Sequence, residues 1–468
     1  MQGAGQGLEA DLGLRLPLLE QRDDGLAVCA DVELEEGSPT EASLAGTTLL
    51  QTTGNILNVF VGTGLLSMPF ALRMGGWVAL GVQALLLPLF ALSGQLIVWA
   101  FDLLPAAVPR TYPELGRAAA GRHGVRAVMI FSFLELFGGS CILLMVAWRM
   151  AELLLPPGLG LLSTRQLAAA VVSWLLLPIL FVDIRKGLSR LSAVGLSSCL
   201  LVIAMTLALL ALDPHRTALP QQPPPGHHVI SPGIIQAVGV FALSATAHST
   251  LPALRTAMRK PSQFPAAIGS AFSIMLAGYT TLAAVGYWYF GDAASPLITT
   301  DLSTSSVYRS FRRLPVDRVL AAFVLVNTLC KYPSLNLVLQ DMILSVLPLT
   351  RDEQGSFHPP LHWAAYALRL GLFAAGCTLG LTAYDALGSA LSLLGGLGSI
   401  SCSLVLPTVF YSLLAWRRSS RPARCGLAAL LLLGAGLVVL VTGMNICELS
   451  QRCGGGHAGG GAGGGQGR

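Results

Sequence analysis

The stretch from Thr52 to Trp77 limits what this chain can fold into more than any other part of the sequence. It reads TTGNILNVFVGTGLLSMPFALRMGGW and is long and apolar enough to cross a bilayer. Gly62, Thr63 and Gly64 lie at its middle and Pro69 follows within two turns, a composition that disfavours a continuous helix. Because backbone groups in hydrocarbon need partners, we interpret the interruption as a broken spanning helix at a binding site. Close helix packing at a patch of small residues is the alternative.

Apolar windows of similar length recur along nearly the whole chain. Of the 468 residues, 53% are hydrophobic and 11% are charged, whereas an ordinary soluble domain has about 25% charged residues. The sequence therefore predicts an all-α polytopic membrane protein. The polar stretch 111–124 is predicted to be a surface helix between the second and third spans. Eleven spans are predicted, at residues 48–73, 76–103, 125–155, 165–184, 188–212, 231–256, 263–290, 316–347, 361–381, 385–416 and 425–448.

Two polar tails flank these spans. Residues 1–45 hold ten acidic residues against Arg15 and Arg22, and this net charge of −8 predicts a disordered acidic tail. Residues 450–468 form a glycine-rich tail. If the N-terminus is cytosolic, the cytosolic loops hold fifteen Lys and Arg residues and the opposite side holds eight. The positive-inside rule therefore predicts a cytosolic N-terminus and a luminal C-terminus.

The sixth predicted span is interrupted in a similar way. In GIIQAVGVFALSATAHSTLPALRTAM, an apolar helix is interrupted by five polar residues, and Pro252 follows them. These five are Ser244, Thr246, His248, Ser249 and Thr250. Matched broken helices in two repeats of opposite topology are typical of secondary transporters with a sodium-symporter-like (APC-like) architecture. The sequence thus predicts a 5+5 inverted repeat with broken helices 1 and 6. The transmembrane domain, residues 46–449, comprises repeat one at about 48–212, repeat two at about 231–416 and an extra helix at 425–448.

Five sequence motifs resemble those of the amino acid/auxin permease family. They are LLSMPFALRMGGW at 65–77, RTYPELGRAAAG at 110–121, MRKPSQFPAAIGSAF at 258–272, VGYWYFGD at 285–292 and CKYPSLNL at 330–337. The similarity runs from about residue 47 to 448 and is strongest to the vacuolar amino-acid transporters, relatives of the vesicular inhibitory amino-acid transporters. The resemblance implies an eleven-helix, proton-coupled carrier of neutral amino acids, often in vacuolar membranes. Gly138, Gly139 and Ser140 in the third span and Ala245 in the sixth depart from these relatives.

Three ionisable residues inside spans are candidates for proton coupling. A charged side chain in the bilayer is energetically costly, so its presence there indicates a functional or structural role. His248 has a side chain that titrates near physiological pH, although it could instead satisfy unwound backbone as a neutral partner. Glu135 could bind the substrate ammonium or a transported proton, or pair with an arginine. The Lys331 ammonium could occupy the place of a sodium ion, or form an ion pair with Asp341 or Asp317.

The two interruptions are the predicted substrate site. Half-helix N-termini favour a carboxylate and half-helix C-termini favour an ammonium, a combination that suits a zwitterion. Aromatic side chains could act as gates, although such residues more often pack in the core. The predicted substrate-binding residues are Gly62, Thr63, Gly64, Ser67, Ser244 and Thr246, and the gate candidates are Phe60, Phe241, Tyr279 and Tyr332.

These features predict a secondary active transporter that works by alternating access, with protonation of His248 or Glu135 biasing which side opens. Antiport and symport both remain open. An amino-acid sensor with little net flux, signalling through the acidic tail, is the alternative function. A channel would need repeated filter segments, which the sequence lacks.

The sequence also limits the chemistry. The eight histidines are scattered and the nine cysteines show no metal or redox spacing, so we predict no enzymatic activity, no cofactor and no metal. Cys447 and Cys453 could pair if that side of the membrane is oxidising. The expected partners are a neutral amino acid, protons and the lipid bilayer, with no nucleic acid.

Overall fold

The computed structural model describes residues 46–105, 107–156, 163–181, 188–212, 226–304, 316–344 and 362–455, and these residues are almost entirely helical. The acidic tail at 1–45 and the end of the glycine-rich tail lie outside the described residues. The helices are α1 (Leu49–Phe60), α2 (Met68–Gly75), α3 (Val78–Asp102), α4 (Tyr112–Leu154), α5 (Thr164–Phe181), α6 (Leu188–Leu212), α7 (Ile234–Ser244), α8 (Leu251–Thr256), α9 (Phe264–Phe290), α10 (Ile298–Thr304), α11 (Val316–Leu344), α12 (His362–Thr382), α13 (Leu387–Leu394), α14 (Leu406–Ala415) and α15 (Arg421–Gly455).

Most of these helices can cross a membrane. Among the described residues, eight are long and apolar enough to do so, and the bent pair Leu49–Phe60 and Gly64–Gly75 makes nine. Two shorter apolar helices, Ser197–Ala208 and Tyr366–Thr382, overlap two further predicted spans. Leucine and valine side chains on the outer helices are exposed, as hydrocarbon contact requires: Leu432 and Val439 on α15 are 74% and 71% exposed. The number of eleven spans stays a prediction.

The first span is broken where its sequence predicts. Thr48 and Gln51 form a capping box that starts α1, and the helix ends at Phe60. A 3₁₀ turn, Thr63–Ser67, separates it from α2, and the two halves are bent by 60°. Proline in the first turn of α2 suits this new start, because the first N–H groups of a helix have no partner within it. We call residues 61–67 the first break.

The sixth predicted span has the same order of elements. The helix α7 ends at Ser244, a 3₁₀ turn covers His248–Thr250, and α8 begins at Leu251 with a proline in its first turn. We call residues 245–250 the second break. Both spans therefore consist of a half-helix, a non-helical stretch, a 3₁₀ turn and a second half-helix that starts at a proline.

The two broken spans lie side by side in opposite directions, and backbone hydrogen bonds join them at both ends. At the start of the first span, the Thr47 N–H donates to Ala257 O at 2.8 Å and the Arg259 N–H donates to Thr47 O at 2.9 Å. At its far end, the Trp77 N–H donates to His228 O at 3.1 Å. This antiparallel pairing is the arrangement expected of inverted repeats. We call the face of the bundle that carries Thr47 the N-terminal face.

Two helices differ in their ends from the predicted elements. The predicted surface helix at 111–124 forms the beginning of α4, which bends at Ala120 and Gly121 before it crosses the bundle. Gly121 has a φ of 58°, which a glycine adopts without a steric penalty, so the chain can turn sharply there. At the other end of the chain, α15 continues to Gly455, past the predicted end at residue 448.

Candidate functional site

A cavity of about 330 Å³ lies where the two breaks meet. Its wall is built from α1, the two breaks, α4, α7, α11 and α13. Seven of the candidate site residues predicted from the sequence line it: Phe60, Gly62, Gly64, Glu135, Ser244, Thr246 and Lys331. The folding of two distant interruptions against each other therefore brings most of the candidate residues around one space.

The breaks touch through Gly64 and Ser244. A Cβ atom on Gly64 would overlap the Ser244 Oγ and lie 3.0 Å from its Cβ, so only glycine allows this approach. Ser244 Oγ itself donates to the Val240 carbonyl at 2.8 Å. In the described part of the chain, the N–H groups of Gly62 and Gly64 donate no backbone hydrogen bond. They stand at the start of the second half-helix, where the helix dipole favours an anion.

Lys331 on α11 reaches the end of α1. Its Nζ donates a hydrogen bond to the carbonyl oxygen of Val61, the residue that caps α1. The ammonium thus compensates the partial negative charge of this half-helix C-terminus. Gly62 lies beside it, since a Cβ there would be 3.6 Å from Nζ. Within the described residues, neither Asp317 nor Asp341 forms an ion pair with Lys331.

Glu135 on α4 is an unpaired acid in the cavity wall. It is only 7% exposed, and neither carboxylate oxygen has a hydrogen-bond partner within the described part of the chain. Thr246 of the second break and Cys402 are the polar side chains that approach it. A buried acid without a partner is costly in a bilayer and is typically functional.

A π-helical stretch packs beside this acid. The segments Gly395–Ser399 and Ser401–Val405 interrupt the span that continues from α13 into α14. Ser399 Oγ lies 3.4 Å from Thr246 Oγ1, so this stretch also contacts the second break. Short π-helical segments occur often at functional sites, because they free backbone groups and widen the helix locally.

His248 does not line the cavity. Its side chain is fully buried, and its Nε2 lies 2.8 Å from the carbonyl oxygen of Phe90 on α3. Because a carbonyl can only accept, Nε2 carries the proton in this contact. Nε2 also lies 3.2 Å from Ser93 Oγ, and Ser93 in turn donates to the Ser403 carbonyl at 2.6 Å. Through this contact, the second break is tied to α3 and to the π-helical stretch.

The remaining candidates are divided between the cavity and the core. Phe60 lines the cavity and packs edge-on against the ring of His248. Tyr279 is buried outside the wall and donates to the Ser244 carbonyl at 2.9 Å. Three further candidates, Phe241, Tyr332 and Ser67, are also buried and do not line the cavity. The side chain of Thr63 lies outside the described residues.

Several wall residues were missed in the sequence. Asn58 lies one turn before the first break. Ser249 and Thr250, which belong to the polar interruption predicted in the sixth span, also line the wall, although they are not among the predicted substrate-binding residues. Ser334 lies one turn after Lys331 on α11. A polar residue one turn from a break or from a buried charge in an apolar helix is the signal that could have identified Asn58 and Ser334. Cys447 is free and exposed, and the side chain of Cys453 lies outside the described residues.

Two antiparallel broken spans around a central cavity define a polytopic membrane protein of the secondary-transporter class. The family model described as "Transmembrane amino acid transporter protein" matches residues 45–451. The chain belongs to this family, and the resemblance inferred from its motifs is confirmed.

Two named relatives from Arabidopsis thaliana are amino acid transporters. "Amino acid transporter AVT1C" is 26% identical over 386 residues, which are 81% of this chain and 66% of that protein. "Amino acid transporter AVT1J" is 25% identical over 395 residues, which are 83% of this chain and 87% of that protein. The chain therefore matches just under two thirds of the first relative and most of the second.

The structure is also similar to a solved one, "Inward facing conformation of Mhp1". The TM-score is 0.50 at 13% identity, and the match covers 88% of this chain and 92% of the other. At this identity the likeness concerns the fold alone. It confirms the predicted fold class, an all-α membrane protein of APC-like architecture.

Proposed function

We propose that the protein is a proton-coupled secondary active transporter of neutral amino acids that works by alternating access. The observation that carries this proposal is the cavity at the meeting of the two breaks. Among the described residues, it combines backbone N–H groups of Gly62 and Gly64 without a backbone acceptor, a lysine-capped helix end and an acid without a hydrogen-bond partner. Belonging to a family of amino acid transporters supports the substrate class.

The substrate's carboxylate binds at the first break in this proposal. The N–H groups of Gly62, Thr63 and Gly64 lie at a half-helix N-terminus, where an anion is favoured. Those of Gly62 and Gly64 have no backbone acceptor among the described residues. The substrate's ammonium binds near the second break, where Ser244 and Thr246 supply polar groups in the wall. Ser67, the last residue of the first break, is buried and does not line the cavity, so in this proposal it does not contact the substrate.

Glu135 is the residue we propose to carry the coupled proton. It faces the cavity, lacks a partner within the described residues and lies near Thr246, so its protonation state can respond to a bound ammonium. His248 has a secondary role in the proposed proton coupling, because its side-chain contacts are with α3 rather than with the cavity. It couples movement of the second break to the Ser93 and Ser403 contacts on neighbouring spans.

Lys331 makes the transporter independent of sodium in this proposal. A cation at the end of α1 compensates the carbonyl charge of the first break, and the covalently attached ammonium provides it permanently. Phe60 is the proposed gate in the wall. Phe241, Tyr279 and Tyr332, which lie outside the wall, are proposed to contribute only when the spans rearrange.

The proposed membrane is that of the vacuole or another endomembrane. The excess of Lys and Arg in one set of loops supports a cytosolic N-terminal face and a luminal C-terminus. The cavity wall runs from the breaks toward this face along Asn58, Val59, Thr250 and Val338, and Val59 and Val338 are partly exposed. We infer that the structure represents the state open toward the cytosol.

Replacing Glu135 with glutamine tests the proton coupling. We expect Glu135→Gln to lower amino acid accumulation driven by a pH gradient by a factor within about 5–150, the usual range of coupling between two bound ligands. Exchange of labelled for unlabelled amino acid should continue, because glutamine keeps the shape of the side chain but carries no titrating proton. Both rates are measured in proteoliposomes.

Glu114→Gln is the matched control for this experiment. Glu114 lies on the same helix in a surface ion pair with Arg117, and such exposed pairs contribute little. An accumulation ratio for Glu135→Gln equal to that of the control would show that the proton is carried elsewhere.

A further inference from the structure

The cavity has an apolar side formed by α4 and α11, away from the polar groups of the two breaks. Leu136, Gly139 and Leu143 follow one another at helical spacing along one face of α4. Leu335 and Val338 lie three residues apart on the facing side of α11. Most of the groups on this side are hydrocarbon, so they provide no hydrogen bonds for a polar ligand.

Two consecutive glycines of α4 have different surroundings. A Cβ on Gly138 would overlap Leu394 of α13, so a glycine is needed there for helix packing. A Cβ on Gly139 would meet only the Leu335 Cδ2, at an ordinary contact distance of 3.4 Å. Packing therefore does not require glycine at position 139. The missing side chain instead leaves open space in the cavity wall.

We propose that this apolar side is the subsite for the side chain of the transported amino acid, and that Gly139 sets how large that side chain can be. The inference rests on the proposed function. The ligand class is an amino acid with an uncharged, bulky apolar side chain, such as leucine or phenylalanine. A cavity of about 330 Å³ is near the lower end of ligand pockets, about 300–1,000 Å³, and suits a molecule of this size.

The charges around the cavity agree with this class. Glu135 lies one residue before the apolar face and disfavours a second carboxylate nearby. The Lys331 ammonium, the one cation among the described wall residues, donates to the Val61 carbonyl on the side of the first break. Among the described wall residues, no cation is therefore placed to pair with an acidic substrate side chain.

The test is a size series at position 139. Uptake of alanine, leucine and phenylalanine is measured in proteoliposomes for wild type, Gly139→Ala and Gly139→Val. Wild type should transport leucine and phenylalanine better than alanine. Gly139→Val should lower the ratio of phenylalanine to alanine uptake by about 10–200-fold, the usual effect of adding or removing a small group in an apolar pocket. Gly139→Ala should change it less, in the same direction.

Gly371→Val is the control, because Gly371 is exposed on α12 and a Cβ there would meet nothing within 4 Å. Adding Leu335→Ala to Gly139→Val should restore part of the phenylalanine uptake, since it removes the facing side chain. A uniform fall for all three amino acids in both Gly139 variants would overturn the inference. If wild type transports alanine but neither leucine nor phenylalanine, the inference of an apolar subsite is also overturned. The proposed function then remains intact. No wild-type transport would contradict the proposed function itself.

Discussion

Gly64→Leu should reduce amino acid uptake by about 100-fold or more. Any side chain on residue 64 overlaps Ser244, so the two breaks must move apart and the groups around the cavity lose their alignment. A displacement of about 1 Å in a binding site can cost about 100-fold in rate. The measurement is initial uptake into proteoliposomes, normalised to the amount of folded protein recovered by size-exclusion chromatography.

Gly54→Leu is the matched control for this variant. Gly54 lies in the first half, α1, of the same broken span, and a Cβ there would have nothing within 4 Å, so uptake should stay near that of wild type. A second pair of variants isolates the contact itself. Gly64→Ala should reduce uptake, and adding Ser244→Gly, which removes the overlapping atoms, should restore part of it. Normal uptake by Gly64→Leu would refute the meeting of the breaks as the functional core.

Lys331→Met should reduce uptake by about 10–150-fold. Methionine has a similar length but cannot donate to the Val61 carbonyl, which then loses a hydrogen bond to a charged group. Such bonds contribute about 1.5–3 kcal/mol, and about 1.4 kcal/mol corresponds to a factor of ten. Uptake is measured with and without sodium, and the uptake rate of wild type should be the same in both conditions.

Lys260→Met provides the comparison, because Lys260 is an exposed lysine just beyond the second broken span. It should transport like wild type. Full activity of Lys331→Met, or a wild-type protein that requires sodium, would contradict the role proposed for the Lys331 ammonium. An active variant that gains a sodium requirement would instead strengthen it.

The positions of the breaks could be predicted from the sequence because their causes are local. Glycines at 62 and 64 weaken a helix and prolines at 69 and 252 start a new one, whatever surrounds them. The antiparallel pairing also followed, since matched breaks in opposite repeats must lie side by side. The positions of the breaks depend on backbone chemistry that a single segment already contains, and the pairing follows from comparing two such segments.

The directions of individual side chains depended on packing between distant segments and could not be predicted. His248 is in the second break, but its contacts with the Phe90 carbonyl oxygen and the Ser93 hydroxyl on α3 determine where its ring lies. The contrast between Gly138 and Gly139 likewise arises from which helices face them. The bend of α4 at Gly121 is another example, because the polar pattern of 111–124 excludes a span without specifying how the chain turns.

The most direct test of the account is uptake of labelled neutral amino acids into proteoliposomes containing the purified full-length protein. A pH gradient of either sign is imposed in sodium-free buffer. We predict that at least one neutral amino acid accumulates above its equilibrium level under one sign of the gradient, and that dissipating the gradient with a protonophore abolishes this. The sign of the pH gradient that drives accumulation distinguishes antiport from symport. No accumulation under either sign, or accumulation only with sodium, would contradict proton-coupled transport, and the absence of any flux would favour an amino-acid sensor.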